Sequence, residues 1–352
     1  MEARNGKDYF QLSLSYYNKS GLRKSSTFFP EIDIFDIAEV FQSVSVFGNL
    51  VFRKTLLIIH GSLLEEIIED HSHFWTYDLF GKAFGDRLRK TMDLCVSIIK
   101  LFIIGGVIAG LIYWTAPFYI KKYSLPHACW IPGNNSVATI ILYILESIFY
   151  IEINVIIVAF DGLYLLMCFN LKLQFVLLCK AVNSIKLGTN ATKINEEMCW
   201  GKLKHYNHYH KFLLKVHKKI NKVFSEFFLC QYFCTIGGTC IPLFVIFEKS
   251  SNVTQVTQSI FYMLLTNILI IMTFIPAAEI EIEADNLTSE IYNIDWYNTN
   301  NLKICKFVLF WQTQSQIPLK MSGAGIIKVT RSVMLQIPRI GLSVTTMLTG
   351  LK

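Results

Sequence analysis

The chain has 352 residues, of which 53% are hydrophobic, 14% aromatic and only 17% charged, with a mean hydropathy of +0.41. A soluble domain carries roughly 25% charged residues, so the composition excludes an ordinary soluble protein and indicates an integral membrane one. The formal net charge of +7 does not imply nucleic acid as a partner, because the lysines cluster in one loop between apolar segments, where membrane topology explains them.

Residues 1–31 read as a polar N-terminal tail. Its one apolar run, Tyr9–Tyr17, is far shorter than the roughly 20 residues that span a bilayer. No basic stretch followed by an apolar one marks a signal peptide. Residues 32–352 read as a single transmembrane domain with apolar windows at 34–52, 94–118, 137–166, 223–247, 259–282 and 323–349. In lipid every backbone polar group must pair internally. The predicted fold is therefore all-α: a polytopic transmembrane helical bundle of six spanning helices. Leu94–Phe118 carries one charge, Lys100, and Val137–Val158 carries only Glu146 and Glu152. The first window is the weakest, since it contains Asp36, Glu39 and Asn49.

Loop charge sets orientation. Residues 172–222 hold eleven lysines against Glu196 and Glu197, whereas the loops at 119–136 and 248–258 hold three lysines between them. The lysine-rich loop is expected in the cytoplasm, which places the C-terminus outside, opposite to G-protein-coupled receptors. The Asp-Arg-Tyr and Asn-Pro-x-x-Tyr motifs of those receptors are also missing. Leu163–Val182 is apolar enough to carry its helix past the membrane. Residues 197–222 alternate lysines and histidines with Leu203, Phe212, Leu213, Leu214, Val216 and Ile220 near a 3.6-residue period. They predict either a packed cytoplasmic helix or one lying on anionic lipid. His205, His208, His210 and His217 read as members of its solvated face, and no acid or cysteine completes a metal site around them. Of nine cysteines, Cys95, Cys168, Cys230, Cys234 and Cys240 read as small core residues. Cys129 lies in a predicted external loop, where a disulfide can persist. Gly106-x-x-x-Gly110 predicts close helix packing.

A long apolar helix ends in Glu279, Glu281, Glu283 and Asp285. It leads to Glu290-Ile-Tyr-Asn-Ile-Asp-Trp-Tyr297, a short amphipathic helix, Ser315-Gln-Ile-Pro-Leu-Lys320 and a final apolar helix. Upstream stand Cys199-Trp-Gly-Lys-Leu-Lys-His-Tyr-Asn-His-Tyr-His-Lys-Phe-Leu-Leu214, Phe224-Ser and Gln231. This order of motifs resembles the insect odorant receptors over roughly residues 30–352, weakly at the front and well at the back. The resemblance implies a seven-helix protein with its N-terminus inside, of which this chain lacks a recognisable first helix. It further implies an odorant-tuned subunit that forms a heterotetrameric cation channel with the odorant receptor co-receptor, in the plasma membrane of a sensory neuron dendrite.

On that resemblance the odorant site is an apolar, aromatic-lined cavity in the outer half of the bundle. Periodicity and depth nominate Tyr113, Trp114, Tyr143, Glu146, Phe149, Tyr150, Phe244 and Tyr262. The final helix would line the pore with Ser343, Thr346, Met347, Gly350 and Leu351, and Ser322-Gly-Ala-Gly325 would place small residues at its start. Pro338 predicts a kink in it. A gustatory-type receptor of the same superfamily and a secondary transporter are the alternatives. The final helix lacks the Thr-Tyr and distal Gln-Phe of the first, and inverted repeats with broken helices are not found. No phosphate loop or nucleophile elbow points to an enzyme, and no cofactor is expected. Asn134 and Asn252 are sequons expected to accept glycan, Asn190 and Asn286 are not, and Asn18 would report an external N-terminus.

Overall fold

The structure, a computed structural model, describes residues 34–119, 136–186, 193–247 and 253–350. The N-terminal tail, Asn18, Cys129, Asn134, Asn190, Asn252 and Leu351, for which the sequence carries expectations, lie outside the described residues. Residues 38–352 form one compact unit, and the contacts described below are internal to it.

In chain order the helices are α1 (Ile34–Ile59), α2 (Gly61–Ser72), α3 (Lys82–Tyr119), α4 (Ser136–Asn183), α5 (Lys193–Phe247), α6 (Val253–Tyr292), α7 (Leu302–Ser315) and α8 (Arg331–Gly350). Short 3-10 turns at Tyr77–Phe80 and Trp296–Asn298 join them, and a hairpin of Ser322–Gly323 (β1) and Ile327–Lys328 (β2) precedes α8. Within α3, α4, α5 and α6, the stretches Lys82–Ile112, Ser136–Asn183, Asn195–Phe247 and Val256–Tyr292 are long and apolar enough to cross a membrane. α1 covers the first predicted window, and α8 covers the last from residue 331 onward. The fold is thus a helical membrane bundle, and its helices outrun the bilayer. α5 has 55 residues, about 80 Å at 1.5 Å per residue, against a hydrocarbon core of about 30 Å. Its apolar part, 223–247, suffices to span, so residues 193–222 project beyond the membrane.

The core lies at this projecting, lysine-rich end. On α4, Tyr164, Cys168, Leu171, Phe175, Leu178 and Val182 recur every three or four residues and have no exposure. They meet Leu213, Val216, Ile220, Phe224 and Phe227 of α5, equally buried at the same spacing, and Leu287 and Ile291 of α6. α7 adds Ile304, Val308 and Trp311, and its start is capped by Asn301, whose side chain accepts from the Lys303 N–H. Polar ties fix the connections. The Gln174 amide bonds both the N–H and the C=O of Trp75, at 3.2 and 3.1 Å. The Trp75 ring stacks on Tyr209 at 4.0 Å. Lys219 of α5 pairs with Asp70 of α2 at 2.7 Å.

Two expectations are corrected here. Ser322–Gly325 does not begin the last helix: it belongs to the hairpin, where Ala324 and Gly325 adopt positive φ of 49° and 71°, a turn conformation no helix interior permits. The hairpin docks on α5, since Asn221 accepts from the Ser322 N–H at 2.8 Å and Ser225 donates to the Ser322 carbonyl at 2.9 Å. A Cβ on Gly323 would come within 2.9 Å of the Leu229 backbone nitrogen, so the close approach requires glycine. Nor do the four histidines share a solvated face. His205 and His208 are exposed, but His210 and His217 are each 4% exposed, turned into the core by the helical period. Burial pushes both imidazoles down to about 4, and His210 accepts a hydrogen bond from the buried Trp311 indole at 3.1 Å.

Candidate functional site

The predicted ligand residues fall into separate neighbourhoods away from the lysine-rich end. Where α3 meets α4, Gly106 and Gly110 permit contact: a Cβ on Gly106 would sit 2.6 Å from Asn154 Oδ1, and one on Gly110 3.5 Å from the Tyr150 ring. Above that contact the Trp114 indole donates to Ser147 at 2.7 Å, Ser147 donates to the Tyr143 carbonyl at 2.6 Å, and Tyr143 donates to the Trp114 carbonyl at 3.0 Å. The two rings stack 6.1 Å apart. This closed circuit uses aromatic bodies for packing and satisfies every polar end in an apolar setting. Glu146 is buried on the same helix. Phe149 turns instead to α1, against Phe47 at 4.7 Å. Tyr262 of α6 is half-buried, while Phe244 is buried on α5. Tyr113 lies in α3. A groove of about 510 Å³ is lined by Ser43, Val44, Phe47, Gly48, Val51, Phe52 and Thr55 of α1. It shares only Phe47 with these neighbourhoods, and with Val44 and Val51 at 63% and 58% exposure it opens outward and encloses no ligand.

The last helix has two faces. Ile337, Gly341 and Thr345 recur every fourth residue and are buried; a Cβ on Gly341 would meet Thr239 of α5 at 2.8 Å, and Thr345 donates to the Cys240 carbonyl at 3.4 Å. Ser343, Thr346 and Met347 are exposed on the other side, with Leu342 and Val344. Gly350 ends the helix. Pro338 sits inside it and is exposed. At its base Arg331 bonds Glu279 of α6, which also takes Lys172 of α4 at 2.7 Å, and Lys320 pairs with Glu281 at 3.2 Å. The acidic end of α6 that marks the sequence is therefore the anchor of α8. The neighbouring motifs interlock: Thr288 donates to the Ser315 carbonyl at 2.8 Å, and Asn183 donates to Glu290 at 2.7 Å.

Two polar groupings were not nominated from sequence. Gln231, Thr235 and Thr239 form a buried seam on α5, joined by Asn267 of α6 at 3.2 Å from Thr239; the Gln231 side-chain oxygen Oε1 has no hydrogen-bond partner among the described residues. Their spacing of four in an apolar stretch was the available signal. Arg53 of α1 forms a buried pair with Asp161 of α4, at 3.3 and 3.1 Å, helped by Asn49 at 3.0 Å and by the Phe227 ring 4.8 Å away. The available signal was an acid inside the 137–166 window, with Arg53 one residue past the first window.

Comparison with known proteins agrees with this architecture. A comparison with curated proteins gave no match. Among solved structures, the insect olfactory receptor OR5 from Machilis hrabei superposes with a TM-score of 0.72 at 14% identity, covering 92% of this chain and 83% of that one. The same receptor in complex with eugenol gives 0.71 at 15% identity, covering 100% and 93%. These likenesses establish the fold. The model of the 7tm Odorant receptor family matches residues 36–337. That match takes in the buried core, the acidic end of α6, the interlocked motifs and the first turns of α8, and the chain belongs to the odorant receptor family.

Proposed function

We propose that this chain is an odorant-tuned subunit that binds a small volatile molecule and gates a cation channel, assembled as a heterotetramer with the odorant receptor co-receptor. The family is one of membrane receptors rather than enzymes. Its place is the plasma membrane of a sensory neuron dendrite, with the lysine-rich end in the cytoplasm and no nucleic acid partner. The observation that carries the proposal is the two-faced α8: a small and hydroxyl-bearing face packs inside the subunit, while Ser343, Thr346 and Met347 face outward, available to a pore axis shared between subunits. With Gly350 and Leu351 they form the pore-lining set, and exposed Met347 is the better hydrophobic constriction, since a bare glycine offers no side chain to exclude water.

Odorant contact is assigned to Tyr113, Trp114, Tyr143, Glu146, Phe149, Tyr150, Phe244 and Tyr262. One structural neighbour was solved with eugenol, which supports a ligand of that size. Co-expression with the co-receptor, with odour-evoked current recorded, tests the proposal: an odorant panel elicits current, and Met347→Ala alters its rectification or its permeability ratios. Normal trafficking with no current from any odorant overturns it. Glycan on Asn134 and Asn252 with none on Asn190 and Asn286 tests the orientation.

A further inference from the structure

Cys230 and Cys234 of α5 stand one helical turn apart, and their sulfurs are 4.0 Å from each other. Both are half-buried, and neither belongs to the odorant-contact or pore-lining residues proposed above. Phe227, one turn toward the lysine-rich end, holds the Arg53 guanidinium over its ring at 4.8 Å. Asn49 accepts from Arg53 at 3.0 Å, and Asp161 holds the guanidinium at 3.3 and 3.1 Å.

The backbone decides what such a pair can do. Residues four apart on a helix have Cβ atoms about 5–6 Å apart, whereas a disulfide needs about 3.5–4.5 Å, so the helix disfavours direct oxidation to a disulfide. A bridging ion asks for less movement. Two metal–sulfur bonds of about 2.3 Å in line hold the sulfurs roughly 4.6 Å apart, a distance that small side-chain rotations reach. Among the described residues no group of three histidine, cysteine, aspartate or glutamate side chains gathers to hold a metal, which argues against tetrahedral zinc there. Thiolates alone favour soft monovalent ions.

We infer that Cys230 and Cys234 form a two-coordinate site for a soft monovalent metal ion of the copper(I) class, bridging one turn of α5 beside Arg53. On binding, both thiols release their protons to solvent, two metal–sulfur bonds form and no electron moves. The resulting complex carries one negative charge and lies beside the neutral buried pair of Arg53 and Asp161. The site does not depend on the identity of the odorant or of the partner subunit.

The test uses the full chain in lipid nanodiscs and silver(I), a redox-inert probe of this class. Native mass spectrometry in the presence of a competing monothiol counts retained silver, and alkylation by N-ethylmaleimide, read by peptide mass, reports each cysteine. One silver ion is expected to be retained and to protect Cys230 and Cys234 together, ahead of the other cysteines. Cys230→Ser and Cys234→Ser should each weaken retention roughly 10²-fold or more, because a chelate loses its second arm, while Cys179→Ser leaves it unchanged. Protection in the unsubstituted protein needs no variant to fold. Thiols that do not react in the metal-free protein, protection of only one of them, or silver held as tightly by either serine variant overturns the site.

Discussion

The outer lengths of α3 and α4 and the lysine-rich end of the bundle are built from continuous helices, yet they are held by different forces. In the most apolar stretches of α3 and α4 only 6% and 11% of residues are buried, against 44% and 39% for α5 and α6. At the lysine-rich end, Leu213, Val216 and Ile220 have no exposure at all. Lipid is as apolar as leucine, so an exposed isoleucine in the bilayer costs nothing, and close contact rests on glycines and a few hydrogen bonds. Beyond the bilayer, water returns the hydrophobic driving force of about 25 cal/mol per Å², and the helices must bury their apolar faces.

The largest effect should come where the two regimes meet. Arg53→Met leaves Asp161 buried without its partner and is expected to destabilise the protein by about 3–5 kcal/mol, while the double variant Arg53→Met/Asp161→Leu recovers most of that loss. Thermal unfolding in lipid, with wild type alongside, reads both; a double variant no more stable than the single one breaks the account. Next in size, Leu213→Ala in the projecting core should cost about 2–4 kcal/mol through the cavity it leaves. Ile144→Ala on the outer part of α4, where the side chain is 52% exposed, should change stability by less than about 0.5 kcal/mol. Equal losses at the two positions would erase the distinction between the regions.

The same distinction governs what the sequence reveals. Helix spans, the extension of α4 past the membrane and the order of motifs behind α6 are legible, because length, period and lysine bias are local properties. The hairpin at Ser322–Lys328 is not, since Ser-Gly-Ala-Gly suits a helix contact as well as a turn, and its role comes from Asn221 and Ser225 a hundred residues away. His210 and His217 alternate with lysines on paper, yet the period that exposes Lys211 and Lys218 turns them inward. Among the ligand nominees, Trp114 and Tyr143 are nominated separately by period and depth, and their coupling through Ser147 is a tertiary fact.

Those buried histidines give the third effect. Burial lowers each imidazole from 6.5 to about 4, so between these values the unfolded chain takes up a proton that the folded chain refuses. The folded state therefore has its full stability above about pH 6.5 and loses it as pH falls toward 4, on the order of 1–3 kcal/mol per histidine. His217 Nε2 has no hydrogen-bond partner among the described residues, so His217→Leu should be nearly neutral at pH 7 and should flatten part of the acid loss. An unchanged acid limb in that variant would assign the loss to other groups.

The smallest effect on stability should carry the largest consequence for sensing. Ser147→Ala removes the acceptor of the Trp114 indole and interrupts the circuit with Tyr143. Hydrogen bonds between helices in lipid average about 0.6 kcal/mol, so unfolding should scarcely move. The indole and the Tyr143 ring are then free to reorient in the proposed odorant region, and odour-evoked currents should shift in sensitivity or rank order while surface expression stays at the wild-type level. Leu213→Ala should do the reverse, lowering expression without changing the rank order of odorants in the receptors that reach the membrane. If Ser147→Ala lowered expression as much as Leu213→Ala, the outer circuit would be part of the folding scaffold, and weak lateral contact in lipid would not be what leaves that region open to a ligand.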